Sequence, residues 1–537
     1  MSTALSASVL GLKVVLVEKA EVVGGTTARS AGSVWIPNSR HSTTGDSHQM
    51  ALRYLQGTVG NRLRVDMANS FLSAGPRMVD FMEEHTEVHF RPYAYHPDYA
   101  PGVEGATTQG RVLEPLPFDG RLLGSEFTRL RGPLPEFMVL GGMMVDRRDI
   151  GHLLNSTRSL GSLRHAAGIV ARHGADRLRY RRGTRLVMGN ALAGRLFYSL
   201  IRRGVPVATS TCVTGISRDQ NWIVVTLETI QGIRTIRTRR GVVLATGGVS
   251  RHPELRKHLL PDLGAHSPVA ESAIGDGVVL GTNAGGRLGS DHSNNAFWTP
   301  VSVRRRPDGT TAVFPHLVLD RGKPGAIAVD TAGKRFVSEA TNYHTFVESM
   351  IASRANPCHL ICDDNFVRKY GLGMVRPRRI NLGRAIADGY LVRASGIEDL
   401  ATTLGVDARG LKATVERHNG FATTGIDRDF QKGSDVYQRN LGDPAHRPNP
   451  CIGPISNPPF YAVCLHAAEL GASIGLVTNT FAQIIGSDGA PIPGFYACGN
   501  DMDSLMAGTY PGPGITLGPA MTFGYIAAHH AAGVAPA

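Results

Sequence analysis

The spacing of apolar residues along this chain predicts an open α/β core assembled from distant pieces. Lys13-Val14-Val15-Leu16-Val17-Glu18-Lys19 holds a continuous apolar run that ends in an acid, the pattern of a short parallel strand buried on both faces. Gly241-Val242-Val243-Leu244-Ala245-Thr246-Gly247-Gly248 repeats the pattern and runs into a glycine turn, the place where a parallel sheet meets a ligand. Just upstream, Thr211 to Ile216 and Trp222 to Leu227 read as further strands. Phe495-Tyr496-Ala497-Cys498-Gly499-Asn500-Asp501 reads as a late strand with a polar turn. Leu517 to Ala532 is an apolar helical stretch, and Ser2 to Gly11 reads as the last turns of a helix.

The stretch after Glu18 sharpens this picture. Val23-Gly24-Gly25-Thr26-Thr27-Ala28-Arg29-Ser30-Ala31-Gly32 is rich in glycine and hydroxyl residues directly behind a strand. In a dinucleotide fold the acid that closes the second strand lies about 20 residues beyond the first glycine of G-x-G-x-x-G and bonds a ribose hydroxyl. Counting back from Glu18 lands just before Met1, so the first strand and its phosphate loop are expected upstream, in a longer reading frame. A chain that truly lacked them would be a truncated, non-catalytic relative that binds its nucleotide weakly.

With 537 residues and 42% apolar content, the chain is long enough for two or three packed domains. No stretch offers about 18 uninterrupted apolar residues and no secretory leader is evident, so a cytoplasmic setting is the expectation. The six cysteines are dispersed, and Cys358-His359-Leu360-Ile361-Cys362 lacks a second ligand pair, which favours reduced core thiols and no metal. The net charge of +13 is uneven: Arg172, Arg177, Arg179, Arg181, Arg182 and Arg185 crowd around Asp176 and Tyr180. Without interleaved aromatic residues this is no base-stacking platform, so nucleic acid is not expected. A solvated basic face, or loose contact with an anionic membrane surface, remains.

Candidate chemistry gathers near the C-terminus. Tyr510-Pro511-Gly512-Pro513-Gly514 is a rigid loop that sets one phenol and free backbone N–H groups around a point, a holder for a carbonyl oxygen. Ser293-Asn294-Asn295-Ala296-Phe297-Trp298 opens a middle block with apolar residues suited either to the wall of a flat ligand or to the core. Within that block, Gly333-Lys334-Arg335-Phe336-Val337-Ser338-Glu339-Ala340-Thr341-Asn342-Tyr343 carries an acid followed shortly by an aromatic residue, and His96-Pro97-Asp98-Tyr99 offers another phenol.

Taken in order over almost the whole chain, these segments resemble the FAD-dependent flavoproteins of the fumarate reductase and 3-ketosteroid dehydrogenase superfamily. The resemblance implies a Rossmann-like FAD-binding domain split in two, residues 1–289 and 456–537, around an inserted α+β substrate-binding domain, residues 290–455. It implies that Glu18 holds the adenosine ribose, that Gly24, Gly25, Thr26, Thr27, Ser30, Ala31 and Gly32 lie along the pyrophosphate and flavin, and that Val213 meets the adenine through its backbone. Ala245, Thr246 and Gly247 would line the dinucleotide and Gly499 and Asn500 the ribityl and pyrophosphate region, with Lys19 and Leu517 completing the set. With the first histidine at His41, beyond the glycine segment, the FAD is expected to be non-covalent.

Within the superfamily, fumarate reductases grip dicarboxylates with arginines and histidines, whereas Tyr99, Tyr343 and Tyr510 match the active-site tyrosines of the 3-ketosteroid 1-dehydrogenases, with Gly514 in its place. The implied reaction is 1,2-desaturation of a 3-ketosteroid in steroid catabolism. Tyr510 and the Gly514 N–H polarise the ketone, Tyr343 takes the proton from carbon 2 with Tyr99 promoting its ionised form, and hydride from carbon 1 passes to flavin N5. A quinone or other acceptor would reoxidise the flavin. A 4-ene ketosteroid dehydrogenase or an alkene reductase of the same superfamily is the alternative. Ala100 and the neighbours of Tyr343, Asn342 and His344, depart from the family pattern. His344 is read either as a member of the proton relay or as a surface neighbour.

Overall fold

A computed structural model describes residues 1–42, 45–264 and 266–535. Its first element is the helix Ser2–Val9, which packs on the final helix Leu517–Ala532. Glycine makes that contact close: a Cβ on Gly524 would stand 2.4 Å from Thr3 Oγ1. The apolar run after it forms a ladder only at Leu16–Val17, parallel to Val207–Ala208, because Lys13 and Val15 are exposed and the partner strand is equally short.

The remaining strands of the cofactor half fall near their expected places. Cys212–Asp219, Trp222–Thr229 and Gly232–Thr238 form an antiparallel meander. Val242–Leu244 pairs in parallel with Pro491–Ala497, so two segments far apart in sequence make one sheet and present their following turns side by side. The largest core spans this half, with Trp35, Tyr54, Phe71 and Phe297 among its fully buried members.

The inserted domain is built on a six-stranded antiparallel sheet. Its centre is the long strand Phe460–Ala472, whose first half lies between Cys358–Asp363 on one edge and Val392–Ala394 on the other and whose second half pairs with Ala296–Arg305. The sheet therefore runs past the expected boundary at residue 455. Pro454 to Pro459 is a turn within the inserted domain, and the chain returns to the cofactor half only after Ala472. Cys358 and Cys362 lie in a central strand, and all six cysteines are free thiols.

Candidate active site

Four phenols meet where the inserted sheet faces the cofactor half. Tyr99 leaves a loop whose backbone is tied down, its N–H bonded to Pro511 O at 2.9 Å. Tyr343 is the first residue of helix Tyr343–Ala352, whose start is fixed by the Asn342 side chain accepting from Thr345 N–H. Tyr510 closes the chain's last turn before Pro511 to Gly514. The Tyr99 hydroxyl donates to that of Tyr343 at 3.2 Å. The Tyr510 ring stacks on Tyr99 at 5.6 Å and stands edge-on to Tyr343 at 5.1 Å. Sequence reading thus finds three of the four; the fourth, Tyr437, packs against Tyr99 at 4.7 Å from helix Val436–Leu441. Leu317, Leu441 and Leu470 complete an apolar surround.

Burial decides the acid–base character of this cluster. It pushes Tyr343 and Tyr99 well above the ordinary phenol value and Tyr510 up to about 12, because an anion in a dry pocket has no solvating water. A phenolate here needs a compensating charge, and proximity of Tyr99 alone does not supply one. Tyr437 is raised by the same burial, opposed first by the Arg321 guanidinium.

His344 is buried, not a surface neighbour. Its Nδ1 accepts from the Trp298 backbone N–H at 3.0 Å, which leaves the proton of the neutral ring on Nε2 and removes Nδ1 as a proton acceptor. The ring stands 5.7 Å from that of Tyr510. Trp298 itself belongs to the core of the inserted sheet, whereas Phe297 reaches the site, edge-on to Tyr510 at 5.5 Å. Of the two aromatic wall candidates, only Phe297 serves as wall.

Gly514 takes φ +94°, and a Cβ there would stand 2.7 Å from both Ser33 O and Trp35 N. Only glycine lets the loop lie this close, and its N–H has no main-chain hydrogen bond among the described residues. Two deeper contacts hold the loop against Tyr99. The Tyr54 hydroxyl donates to Pro511 O at 2.6 Å and accepts from Ala100 N–H at 3.1 Å. Asp98 accepts from Trp35 Nε1, Thr107 N–H and Arg111, and Arg111 also binds Asp46, all within a fully buried triad.

The expected cofactor residues gather along a trough beside this cluster. Glu18 Oε1 accepts from Ala20 N–H at 2.9 Å, and Glu18 O accepts from Thr211 N–H, which brings the acid beside the strand that carries Val213. Lys19 pairs with Asp276 at 2.9 Å. Gly24 and Gly25 have positive φ, and around a Cβ on Gly25 there is open space. Thr26 Oγ1 accepts from Ala270 N–H, and Ser30 Oγ bridges Thr27 O and Gly32 N–H, so this turn is rigid without using its outward face, where Ala31 is exposed. Ala245 and Thr246 are exposed at the end of their strand. Gly247 follows at φ +104°. A cleft between Gly499, Asn500 and the first turn of helix Leu517–Ala532 also touches Phe297. Asp501, unforeseen in the sequence, accepts from the main chain of Thr246 and Gly248 and from Thr246 Oγ1, locking the two turns together. An acid at a strand end, glycine turns with an open face and a helix N-terminus fit the donor and acceptor set of FAD.

Comparison with known proteins places this geometry in a family. The FAD binding domain family matches residues 1–517. The chain belongs to it and is an FAD-dependent oxidoreductase. Among its relatives, the 4-oxocyclohex-2-ene-1-carboxylate 5-dehydrogenase of Sinomonas cyclohexanicum is 35% identical over 100% of this chain and 92% of that protein. The 3-oxosteroid 1-dehydrogenase of Mycobacterium tuberculosis is 33% identical over 99% of this chain and 96% of its own length. The crystal structure of 3-ketosteroid delta1-dehydrogenase from Sterolibacterium denitrificans, in complex with 1,4-androstadiene-3,17-dione, superposes with a TM-score of 0.92 at 33% identity, covering 99% of this chain and 97% of that one.

Proposed function

We propose that this flavoenzyme introduces the 1,2 double bond into a 3-ketosteroid. The observation that carries the reading is the four-phenol cluster facing the Gly514 loop beside the flavin trough. The Tyr510 hydroxyl and Gly514 N–H supply donors for the ketone oxygen, and charge that develops there in the transition state is what such donors stabilise. Tyr343, bonded to Tyr99, is placed to take the proton from carbon 2. FAD held by Glu18, the Gly24 to Gly32 turn, Ala245 to Gly247 and Gly499 to Asn500 supplies the hydride acceptor. In this arrangement residues 1–289 and the chain after Ala472 hold the cofactor, and the block between them caps it.

Phe297, Leu317, Leu441 and Leu470 make apolar walls that suit a flat polycyclic ketone. A small ketone bearing a carboxylate would ask for a cation with free donors. Of the cations in this region, Arg321 spends its donors on the carbonyls of His316, Leu317, Glu339 and Thr341 and Lys323 on those of Leu441 and Gly442, while Arg147, whose charge reaches Lys323 and His96, stands exposed at the start of helix Arg147–Leu154. The deciding experiment supplies the FAD-loaded protein with an artificial acceptor and either a 3-ketosteroid or 4-oxocyclohexanecarboxylate. A 1-ene 3-ketosteroid product is expected. A 4-ene product, or turnover of the carboxylate alone, would overturn this assignment. A quinone is the proposed physiological acceptor, tested by reoxidation of the reduced protein with a short-chain quinone.

The same reading puts the enzyme beside a membrane, where steroids dissolve. Helix Leu160–Arg177 exposes Leu160, Leu163 and Val170, followed by exposed Leu178, among exposed Arg158, Arg164, Arg177 and Arg179. Apolar residues amid arginines that have no ion-pair partner among the described residues suit the headgroup region of an anionic bilayer. No helix among the described residues is long and apolar enough to cross a membrane, so the contact is superficial. Co-sedimentation with vesicles containing phosphatidylserine, and none with neutral vesicles, is expected; equal recovery in the supernatant with both would refute it.

A further inference from the structure

A guanidinium lies sealed in the wall behind the phenols. Arg321 is 1% exposed, and its donors go to His316 O at 2.7 Å, Glu339 O at 2.9 Å, Thr341 O at 3.4 Å and Leu317 O at 3.2 Å. All are neutral main-chain oxygens, the guanidinium lies 4.7 Å over the Phe346 ring, and no carboxylate lies within ion-pair distance of its side chain among the described residues. The carboxylates of the region are engaged elsewhere. Asp320 accepts from His316 Nδ1, Gly373 N–H and the Arg321 backbone N–H, and Glu339 is held by Arg335 and Lys432.

Burying a charge without an ionic partner is expensive, and a fold that does so has a use for the field it creates. Here the guanidinium holds the main chain of segments that line the active site. Leu317, whose carbonyl it binds, packs in the phenol cluster, and Glu339 and Thr341 belong to the segment that leads into Tyr343. Of the phenols, Tyr437 feels this charge most directly, the guanidinium opposing the upward push of its burial, and Tyr437 packs against Tyr99 at 4.7 Å.

We propose that Arg321 is a positioning residue that serves as the countercharge of the phenol cluster, so that one proton can leave it and the resulting phenolate can act as base. The proposal rests on the desaturase reading for its chemistry and adds to it the source of the basic form. One phenolic proton passes to water, leaving one negative charge on the hydrogen-bonded Tyr343 and Tyr99. That oxygen then takes the proton from the carbon beside the ketone and becomes a phenol again, while the hydride leaves for FAD. Arg321 neither gives nor receives a proton in this sequence. The other groups around the phenols are His344 beside Tyr510, with Glu348 at 3.5 Å from its Nε2, His96 against Tyr99, Lys323 at the end of the helix carrying Tyr437, and Arg147, whose charge reaches both His96 and Lys323. Lys323, held between two carbonyls, supplements the field, and the Nδ1 of His344 is occupied by Trp298.

The test compares wild type, Arg321→Lys and Arg321→Met, each loaded with FAD, through the pH dependence of kcat/KM with a 3-ketosteroid and an artificial acceptor. At an effective dielectric of about 20, removing the charge is expected to move the acid limb up by about one to two pH units. Arg321→Lys should restore most of it. An acid limb at the same pH in Arg321→Met as in wild type, with flavin content and melting temperature intact, would overturn the proposal.

A second measurement needs no turnover. The tyrosinate absorbance that is lost in Tyr343→Phe is followed against pH in proteins with and without the Arg321 charge. A midpoint that rises by about one to two pH units in Arg321→Met is expected, and an unchanged midpoint would sink the idea. If wild type shows no desaturation of any 3-ketosteroid, the desaturase reading fails while the tyrosinate titration still decides the countercharge.

Discussion

The hydroxyl of Tyr99 donates to the hydroxyl of Tyr343 at 3.2 Å, across the boundary between the cofactor half and the inserted domain. This bond joins the proposed proton acceptor to a phenol whose own loop is tied to the proposed ketone-binding turn through Pro511. Replacing Tyr343 by Phe removes the proton acceptor and leaves the packing. Turnover is expected to fall by about 10²- to 10⁴-fold with the flavin spectrum unchanged. Steady-state kinetics on protein of equal flavin content checks this, and full activity would remove Tyr343 from the mechanism.

Gly514→Ala should damage both structure and rate. The added methyl meets Ser33 O and Trp35 N at 2.7 Å with the backbone at φ +94°, so the loop has to shift. A loss of about 1–3 kcal/mol in stability is expected from the strained backbone. Displacing one oxyanion donor should lower kcat by about 10²- to 10³-fold. A variant with normal kcat would show that the Gly514 N–H is not a donor to the ketone.

Arg111→Met leaves Asp46 and Asp98 buried without their shared cation. Breaking such a group from one side costs about 3–5 kcal/mol, and the urea midpoint should fall accordingly. Because Asp98 precedes Tyr99, the surviving folded protein should also have a lower kcat.

Acid should weaken the inserted domain through Asp320. Against its burial, His316 beside it brings this carboxyl down to about 2, below its ordinary value. A folded-state pKa that is depressed stabilises the fold above the unfolded value and ceases to do so as pH falls through the folded one. The contribution, at most about 2 kcal/mol, is therefore complete above pH about 5 and lost between pH about 4 and 2. Urea titrations of wild type and Asp320→Asn at pH 6 and pH 3 should show the gap between them narrowing at the lower pH.

Glu18→Ala removes the carboxylate that faces the expected ribose. A hydrogen bond to a charged group contributes about 1.5–3 kcal/mol, so FAD affinity should drop by about 10- to 100-fold. Flavin retained after dialysis, followed by fluorescence, measures it; unaltered retention would place the ribose elsewhere.

What could be read from the sequence was local pattern with a rigid grammar. A strand ending in an acid, glycine turns behind strands and the Tyr510 to Gly514 loop all declare themselves within a few residues, and helix Leu517–Ala532 coincides with its apolar run. Tyr437 could not be found this way. It sits in the ordinary amphipathic helix Val436–Leu441, and only the packing of that helix brings it to Tyr99. Arg321 was equally hidden, since an arginine is expected at the surface until the carbonyls around it are seen. The place of strand Phe460–Ala472 was hidden as well, because its neighbours are earlier strands of the inserted sheet that no local pattern ties to it.

The phenols come from four stretches of chain that share no local element, and the ketone-binding turn is propped from below by Tyr54. Catalytic competence is for that reason a report on the completeness of folding. A molecule with its inserted domain peeled away could keep flavin in the trough and remain yellow, yet it would have no apparatus for removing the proton. Loss of turnover during slow heating should precede loss of bound flavin, which makes the enzyme its own gauge of domain closure and keeps an exposed oxidant from acting on stray ketones.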